Sequence, residues 1–355
     1  MDKTALIDTA CDELLTYGLW DVKTRVKRWI KKYIFGRPTA VEDMIFWPVG
    51  LLAAGLWHCR READPALRQK IEMSLSAFYT RWEKKHNPIC YIDDLLAGEV
   101  FLAVYEEYSH NKEENNMIDD KNADRYREAV DKLAAYVSAY PRDEMGNLPY
   151  RANQNNGHVY VDAVGMICPF LYEYGSLMNK SGYMELAVNQ IVNFLAYGMD
   201  GSTGLPYHGY AMQTGCKYGV IGWGRAVGWL LRGMTGCMTT GYGLERLRDS
   251  YIVLTDTVLA YQRKDGYFSW QLQAVDGPAD TSATGMICAA LKWGMEQDIL
   301  TDSKYKQALQ AGKEAIEKST VDGMVYDCSG ECEGFGQYPQ RYGAYPWALG
   351  PALML

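Results

Sequence analysis

Six strongly apolar segments recur along the 355-residue chain, each with a glycine near its middle: Gly50, Gly98, Gly165, Gly228, Gly285 and Gly350, roughly 60 residues apart. Runs such as V-G-M-I-C-P-F-L and T-G-M-I-C-A-A-L-K-W-G are apolar on nearly all sides. A helix of that kind has to be buried on nearly all sides. A glycine inside a helix costs about 1 kcal/mol relative to alanine. Six at matching places point to close helix–helix approach as the compensation. Between them lie six amphipathic segments with charged faces, near residues 4–33, 64–84, 123–140, 181–198, 243–263 and 303–319. In the third, R-Y-R-E-A-V-D-K-L-A-A-Y-V is apolar at i, i+3, i+4 and i+7, the pattern of a surface helix. Glycine-containing turns ending at Tyr150, Tyr207, Trp270 and Tyr326 punctuate the repeat.

Six buried helices alternating with six amphipathic ones predict an all-α fold, the (α/α)6 barrel, in which an outer ring of helices wraps an inner one. A helical solenoid is the alternative, but its repeats are shorter, about 34 to 47 residues, and its ends need polar caps. The last run here, Y-P-W-A-L-G-P-A-L-M-L, is among the most apolar. A closed ring needs no caps. No linker interrupts the pattern, so residues 1–355 read as one domain. The charged stretch 111–122 reads as a solvated loop.

With 36 Lys and Arg against 44 Asp and Glu the formal charge is −8. That balance argues against nucleic acid or an anionic membrane as the main partner. No run reaches the roughly 18 uninterrupted apolar residues of a membrane span. The start of the chain has no apolar stretch behind a basic one, and the nine cysteines are scattered. Both suggest a reducing cytoplasm. Cys328 and Cys332 have no second Cys/His pair nearby, so zinc is not expected, and no metal or cofactor motif occurs elsewhere. The aromatic content is skewed, with 27 Tyr and 10 Trp against 8 Phe. Tyr and Trp combine an apolar face with a polar tip, which suits carbohydrate, although most of them should pack the core.

In a ring of this type the inner-helix starts and the loops feeding them line one mouth of the barrel. The starts carry Glu42, Asp43 and Trp47; Asp93 and Asp94; His158 and Asp162; Trp223, Arg225 and Trp229; Asp280; and Arg341 and Tyr345. Helix capping explains many acids at such places, Asp43 and Asp280 among them. Asp162 and Asp94 are different, because all-round apolar helix follows each one. A carboxyl group at the edge of an apolar barrel is a candidate proton donor, since poor solvation disfavours the charged form. Two carboxyls across one cavity are the usual means of acid/base work on sugars. His208, flanked by Tyr207 and Tyr210, reads as a ligand-holding loop. Arg225 has the forked donor set that suits a substrate carboxylate, or an ion pair with an inner-ring Asp.

These residues resemble the unsaturated glucuronyl and rhamnogalacturonyl hydrolases, glycoside hydrolase families 88 and 105, and the rhamnogalacturonyl branch most. The resemblance rests on I-D-D-L-L-A-G, Y-V-D-A-V-G-M-I-C-P-F-L, G-L-P-Y-H-G-Y, W-G-R-A-V-G-W and D-T-S-A-T-G-M. It implies an (α/α)6 barrel that removes a 4,5-unsaturated uronic acid from the non-reducing end of lyase-generated oligosaccharides. In the implied mechanism an Asp protonates C4 of the enol ether and then helps water add at C5. Asp162 matches the acid/base, and Asp94 or its neighbour Asp93 the second carboxylate. His208, Arg225 and Trp229 match sugar-holding positions, with Trp47, His158, Tyr207, Trp223 and Tyr345 as further candidates. No metal or cofactor is implied, and a monomer or homodimer is expected. The sequence departs from the family in Ala226, where W-x-R-G-x-x-W is commoner, and in H-V-Y-V before Asp162.

Three other readings remain open at this stage. An inverting (α/α)6 glycosidase would need carboxyls about 6.5–9.5 Å apart. A sugar 2-epimerase would want paired histidines, and only His158 and His208 lie near the mouth. A non-catalytic helical scaffold would expose a groove rather than a deep pocket.

Overall fold

The computed structural model describes residues 3–355 except 38, 40, 116–119 and 153–156, with side chains undescribed also at 111–115 and 120. The outer helix α1 (Lys3–Thr16) comes first and is followed by α2 (Val22–Tyr33). Inner and outer helices then alternate. The inner ones are α3 (Trp47–Cys59), α5 (Leu95–Asn115), α7 (Val161–Leu177), α9 (Gly224–Cys237), α11 (Thr281–Glu296) and α13 (Pro346–Leu353). The outer ones are α4 (Pro65–Glu83), α6 (Asp120–Ser138), α8 (Ser181–Tyr197), α10 (Gly241–Leu259) and α12 (Ser303–Lys318). Each inner helix packs on the next, and α13 packs back on α3, so the ring closes. The first outer helix, α1, covers α13. The (α/α)6 barrel expected from the repeat is the observed fold.

The repeated glycines explain the packing. All six lie buried within the inner helices. A Cβ at Gly165 would sit 2.5 Å from the Trp229 carbonyl oxygen, and one at Gly350 would sit 2.7 Å from that of Leu51. The second contact lies at the seam between α13 and α3, where Gly55 meets Gly350 directly. Around these approaches the inner helices bury almost every side chain, as in α7 from Val161 to Tyr172. Burying each large apolar side chain contributes about 1.5–3 kcal/mol.

The connections are asymmetric. Inner-to-outer links are short, at 60–64, 178–180, 238–240 and 297–302. Outer-to-inner links are long, at 84–94, 139–160, 198–223, 260–280 and 319–345. The long links therefore crowd the mouth at the N-terminal ends of the inner helices. They carry three small antiparallel sheets. One is formed by β1 (His158–Tyr160), β2 (Gly209–Ala211) and β3 (Lys217–Tyr218). The others pair β4 (Thr320–Val321) with β5 (Met324–Val325), and β6 (Cys328–Ser329) with β7 (Tyr342–Gly343).

Two expectations are corrected. The segment near 4–33 is not one helix: Gly18 takes φ +69° and Asp21 caps a separate helix, its carboxylate accepting from Thr24 N–H at 2.7 Å. The stretch 111–122 is not a loop throughout, because α5 continues to Asn115 and α6 begins at Asp120.

Candidate active site

A cavity of about 300 Å³ opens at the crowded mouth. Asp162 lies in its wall, at the second position of α7. The strand just before it fixes its neighbour. β1 pairs with β2 in the register Tyr160↔Gly209, and Val161 N–H donates to the His208 carbonyl at 2.9 Å. This ladder sets His208 beside Asp162, with Nε2 2.9 Å from Oδ2. Gly209 permits the approach, since a Cβ there would collide with the Val159 carbonyl oxygen.

The other imidazole nitrogen is held as well. Tyr338 Oη lies 2.9 Å from His208 Nδ1 and accepts from Val220 N–H at 3.1 Å. In the Nε2–H tautomer the tyrosine hydroxyl donates to Nδ1 while Nε2–H donates to Asp162. His208 is fully buried. The chain of bonds leaves Asp162 Oδ1 as the oxygen available to carry a proton.

Two guanidinium groups border the same cavity. Arg151 is held by Asp93, with Nη1–Oδ1 at 2.9 Å and Nη2–Oδ2 at 3.3 Å. The Tyr150 hydroxyl donates to the same carboxylate at 3.1 Å, and the Arg151 Cζ lies 4.0 Å from the Tyr150 ring centre. Arg225 is nearly buried, and its Nη1 donates to Ser329 O at 3.0 Å and Ser329 Oγ at 2.8 Å. Its Nη2 donates to Gly330 O at 2.7 Å, and Asp280 lies 4.0 Å away. Asp280 in turn caps α11, accepting from Ser282 N–H at 3.0 Å. Arg225 thus lies beside an inner-ring Asp, as one of the two expectations had it, and also borders the cavity.

Aromatic rings make the rest of the wall. Trp223 lies under Arg225, 4.7 Å from Cζ, and Tyr160 stacks on Tyr150 at 4.8 Å. Trp47 meets Trp229 edge-on at 6.0 Å. His158 also borders the cavity. Burial lowers its pKa from the ordinary value, and its Nδ1 has no partner among the described residues. The loop from Glu331 to Tyr338 adds Glu331, Cys332 and Gly334 to the lining, while Phe335 packs 4.0 Å from the Tyr160 ring. Burial pushes the Cys332 thiol up to about 12, far from a nucleophilic thiolate.

The sequence-predicted residues thus divide. Trp47, His158, Asp162, His208, Trp223 and Arg225 line the cavity together. Asp93 reaches it through Arg151 and Tyr150. Asp94 is not among the lining side chains. It is fully buried, and its Oδ2 accepts from Cys90 N–H at 2.7 Å and Tyr91 N–H at 3.3 Å. Trp229 is also fully buried, beneath Trp47. Tyr207 packs against Lys217 Nζ, and Tyr345 stacks on Trp347 at 4.5 Å. Sequence reasoning missed Tyr150, Arg151, Tyr160, Glu331 and Tyr338.

Asp43, Cys90 and Asp94 bring three possible ligand atoms within 4.8 Å of one another. Their chemistry fits a shared proton better than a metal. Burial pushes the Cys90 thiol up to about 12, and it pushes Asp43 up to about 6, helped by the charge of Asp93. Asp94 is raised well above the ordinary value by burial and then by Asp43. Ligand-capable oxygens of the two carboxyls lie within 4.8 Å of each other, and Asp94 Oδ1 has no hydrogen-bond partner among the described residues.

A closed double ring of helices, with an acid at one aromatic-walled mouth, defines the class of six-hairpin glycosidases. The model of Glycosyl Hydrolase Family 88 matches residues 22–355; the chain belongs to that family and is a hydrolase. Among curated proteins it is similar to an unsaturated 3S-rhamnoglycuronyl hydrolase of Alteromonas sp. (strain LOR), at 31% identity over 106 residues. That match covers 28% of this chain and about a quarter, 26%, of the relative. Among solved structures, a possible member of the GH105 family from Klebsiella pneumoniae superposes with a TM-score of 0.79 at 15% identity, over 99% of this chain and 91% of that one. An unsaturated glucuronyl hydrolase specific for heparin gives 0.70 at 16% identity, over 99% and 94%. At these identities the structural likeness is one of fold.

Proposed function

We propose that the enzyme removes a 4,5-unsaturated uronic acid from the non-reducing end of oligosaccharides by hydrating its enol ether. The observation that carries this reading is Asp162, on the wall of the 300 Å³ cavity with Oδ2 tied to His208 Nε2 at 2.9 Å. Asp162 gives the proton on Oδ1 to C4 of the sugar. The resulting carboxylate then takes a proton from water as its oxygen bonds to C5. The hemiketal formed at C5 opens, the bond to the leaving sugar breaks, and that sugar departs as an alcohol. His208 orients the carboxyl through the Nε2–Oδ2 contact. Arg151 and Arg225 border the place where the uronate carboxylate would lie, and their planar forks suit it. Asp93 acts one step back, by holding Arg151. The curated relative named for an unsaturated rhamnoglycuronyl substrate supports the same sugar class.

The test is a set of lyase digests of pectin, glycosaminoglycans and arabinogalactan, followed by loss of enol-ether absorbance. Loss on at least one digest, with release of the neighbouring sugar, is the expected result. Cleavage of saturated glycosides with the absorbance untouched would favour the inverting glycosidase instead.

A further inference from the structure

Helix α2 stands apart from the rest of the fold. Its sequence, V-K-T-R-V-K-R-W-I-K-K-Y, holds six basic residues and no acidic one, in a chain whose formal charge is −8. None of its residues is buried. Val22, Trp29 and Tyr33 are 75%, 56% and 65% exposed. Among the described residues the helix is held by the Asp21 cap, by the Arg25–Glu42 ion pair at 3.0 Å, by Arg28 lying 3.9 Å over the Trp20 ring, and by the half-buried Ile30. Burial energy does not account for it.

Between α2 and the barrel runs a groove of about 360 Å³. Its walls include Trp20, Arg28, Trp29, Lys32, Tyr33 and Lys85. The acid in the groove, Glu42, is already paired with Arg25. Arg28, Lys32 and Lys85 have no acidic partner among the described residues, and Arg28 and Lys32 sit over the Trp20 and Tyr33 rings, so the groove sets cations beside flat aromatic groups. Guanidinium and ammonium groups bind carboxylates and sulfates, and aromatic faces bind the apolar faces of sugar rings.

Only short stretches of chain separate the groove from the cavity at the near mouth. Glu42 lines the groove and Trp47 lines the cavity. Five residues of chain span at most about 18 Å. On the other wall, Pro88 lines the groove and Asp93, again five residues on, holds Arg151. A chain anchored in the cavity by its terminal uronate thus has its remaining sugars within reach of α2.

We propose that the α2 groove is an exosite for the distal, acid-bearing sugars of an oligosaccharide whose end occupies the cavity. This rests on the reading of that cavity as a uronyl site. The exosite selects longer anionic chains over disaccharides, and salt screens it because its cations are exposed.

The experiment compares wild type with the triple variant Arg28→Ala, Trp29→Ala, Lys32→Ala, which removes no buried side chain and should melt at the wild-type temperature. Binding is measured with saturated hexagalacturonate, a sulfated heparin hexasaccharide and neutral maltohexaose. Wild type should bind one or both anionic probes and not the neutral one, and the variant should bind at least tenfold more weakly. The anionic probe that wild type prefers identifies carboxylate or sulfate as the recognised group. In kinetics, KM for an unsaturated disaccharide should be unchanged in the variant, while KM for an unsaturated hexasaccharide rises about tenfold. Equal binding by both proteins, or no anionic binding by wild type, overturns the exosite. So does α2-dependent binding to phosphatidylglycerol vesicles with indifference to the sugars, which would assign the helix to a lipid surface. Failure to turn over any unsaturated disaccharide would sink the uronyl reading, whereas the binding arm still reports on the groove.

Discussion

The two mouths of the barrel hold similar ingredients. The far mouth has a cavity of about 350 Å³ lined by Trp57, His58, Glu99, Glu173, Arg232 and Trp293, among others. By composition it could pass for the active site. The difference lies in what holds each group. At the far mouth the links are short, and charges pair directly between inner helices, as Glu99 of α5 does with Arg232 of α9 at 2.6 Å. At the near mouth each group is held by one from another long link. His208 comes from 198–223 and Tyr338 from 319–345, while Arg151 comes from 139–160 and Asp93, which holds it, from 84–94. Four loops converge on one carboxyl and its surroundings. Preorganisation by several independent elements marks a site; a count of acids and tryptophans does not.

This contrast can be broken experimentally. The largest effect should be Asp162→Asn, which lowers kcat on an unsaturated uronide by about 10³-fold and leaves the melting temperature unchanged. The matching change at the far mouth, Glu173→Gln, should leave kcat alone, although burial pushes that carboxyl up to about 7 with help from Glu99 and Glu106. If the two outcomes were exchanged, the mouths would have been assigned the wrong way round. Next is Arg232→Ala, which leaves Glu99 buried without its partner. It should cost about 3 kcal/mol of stability in a denaturant titration while kcat stays within twofold. A smaller effect is expected for Tyr338→Phe, which removes the hydrogen bond that holds the His208 ring at Nδ1. A bond of that kind is worth about 1 kcal/mol, so kcat should fall roughly five- to tenfold with KM little changed. A change in KM alone would mean that Tyr338 only shapes the wall.

How far the residues foretold this can be argued case by case. The ring was legible because all-round apolar helices have few places to go, and glycines at a fixed period mark their contacts. Asp162 and His208 were legible because each begins or borders a local pattern. Trp229 was misplaced by its motif: six residues beyond Trp223 on a helix is about 9 Å further along the axis, which puts it beneath the floor rather than in the wall. Tyr207 failed because its ring packs against Lys217 Nζ, while the adjoining His208 takes the side toward Asp162. Asp93 and Asp94 could not be separated, because a single turn at Ile92–Asp94 decides which one faces Arg151. Tyr338 left no signal at all. It lies 130 residues from His208, and no local periodicity encodes that meeting.

The finest distinction concerns Asp43 and Asp94, which sit just behind the near mouth. Asp43 is pushed from the ordinary 3.8 up to about 6, by burial first and by Asp93 second. The folded protein therefore holds this proton more tightly than the unfolded chain does. The stabilisation is complete below about pH 4 and is lost as the pH rises through about 6. Asn at position 43 cannot ionise, yet its amide oxygen can still accept from Ile45 N–H and its NH2 can donate to Asp94 Oδ1. Asp43→Asn should accordingly match wild type in acid and become the more stable protein above pH 6, by less than the Arg232→Ala loss. Denaturation midpoints at pH 4, 5, 6 and 7 would trace this. A flat difference across that range would mean that Asp43 is not pushed up by its burial and by Asp93. The metal geometry of Asp43, Cys90 and Asp94 would then have to be tested directly by titrating a divalent cation.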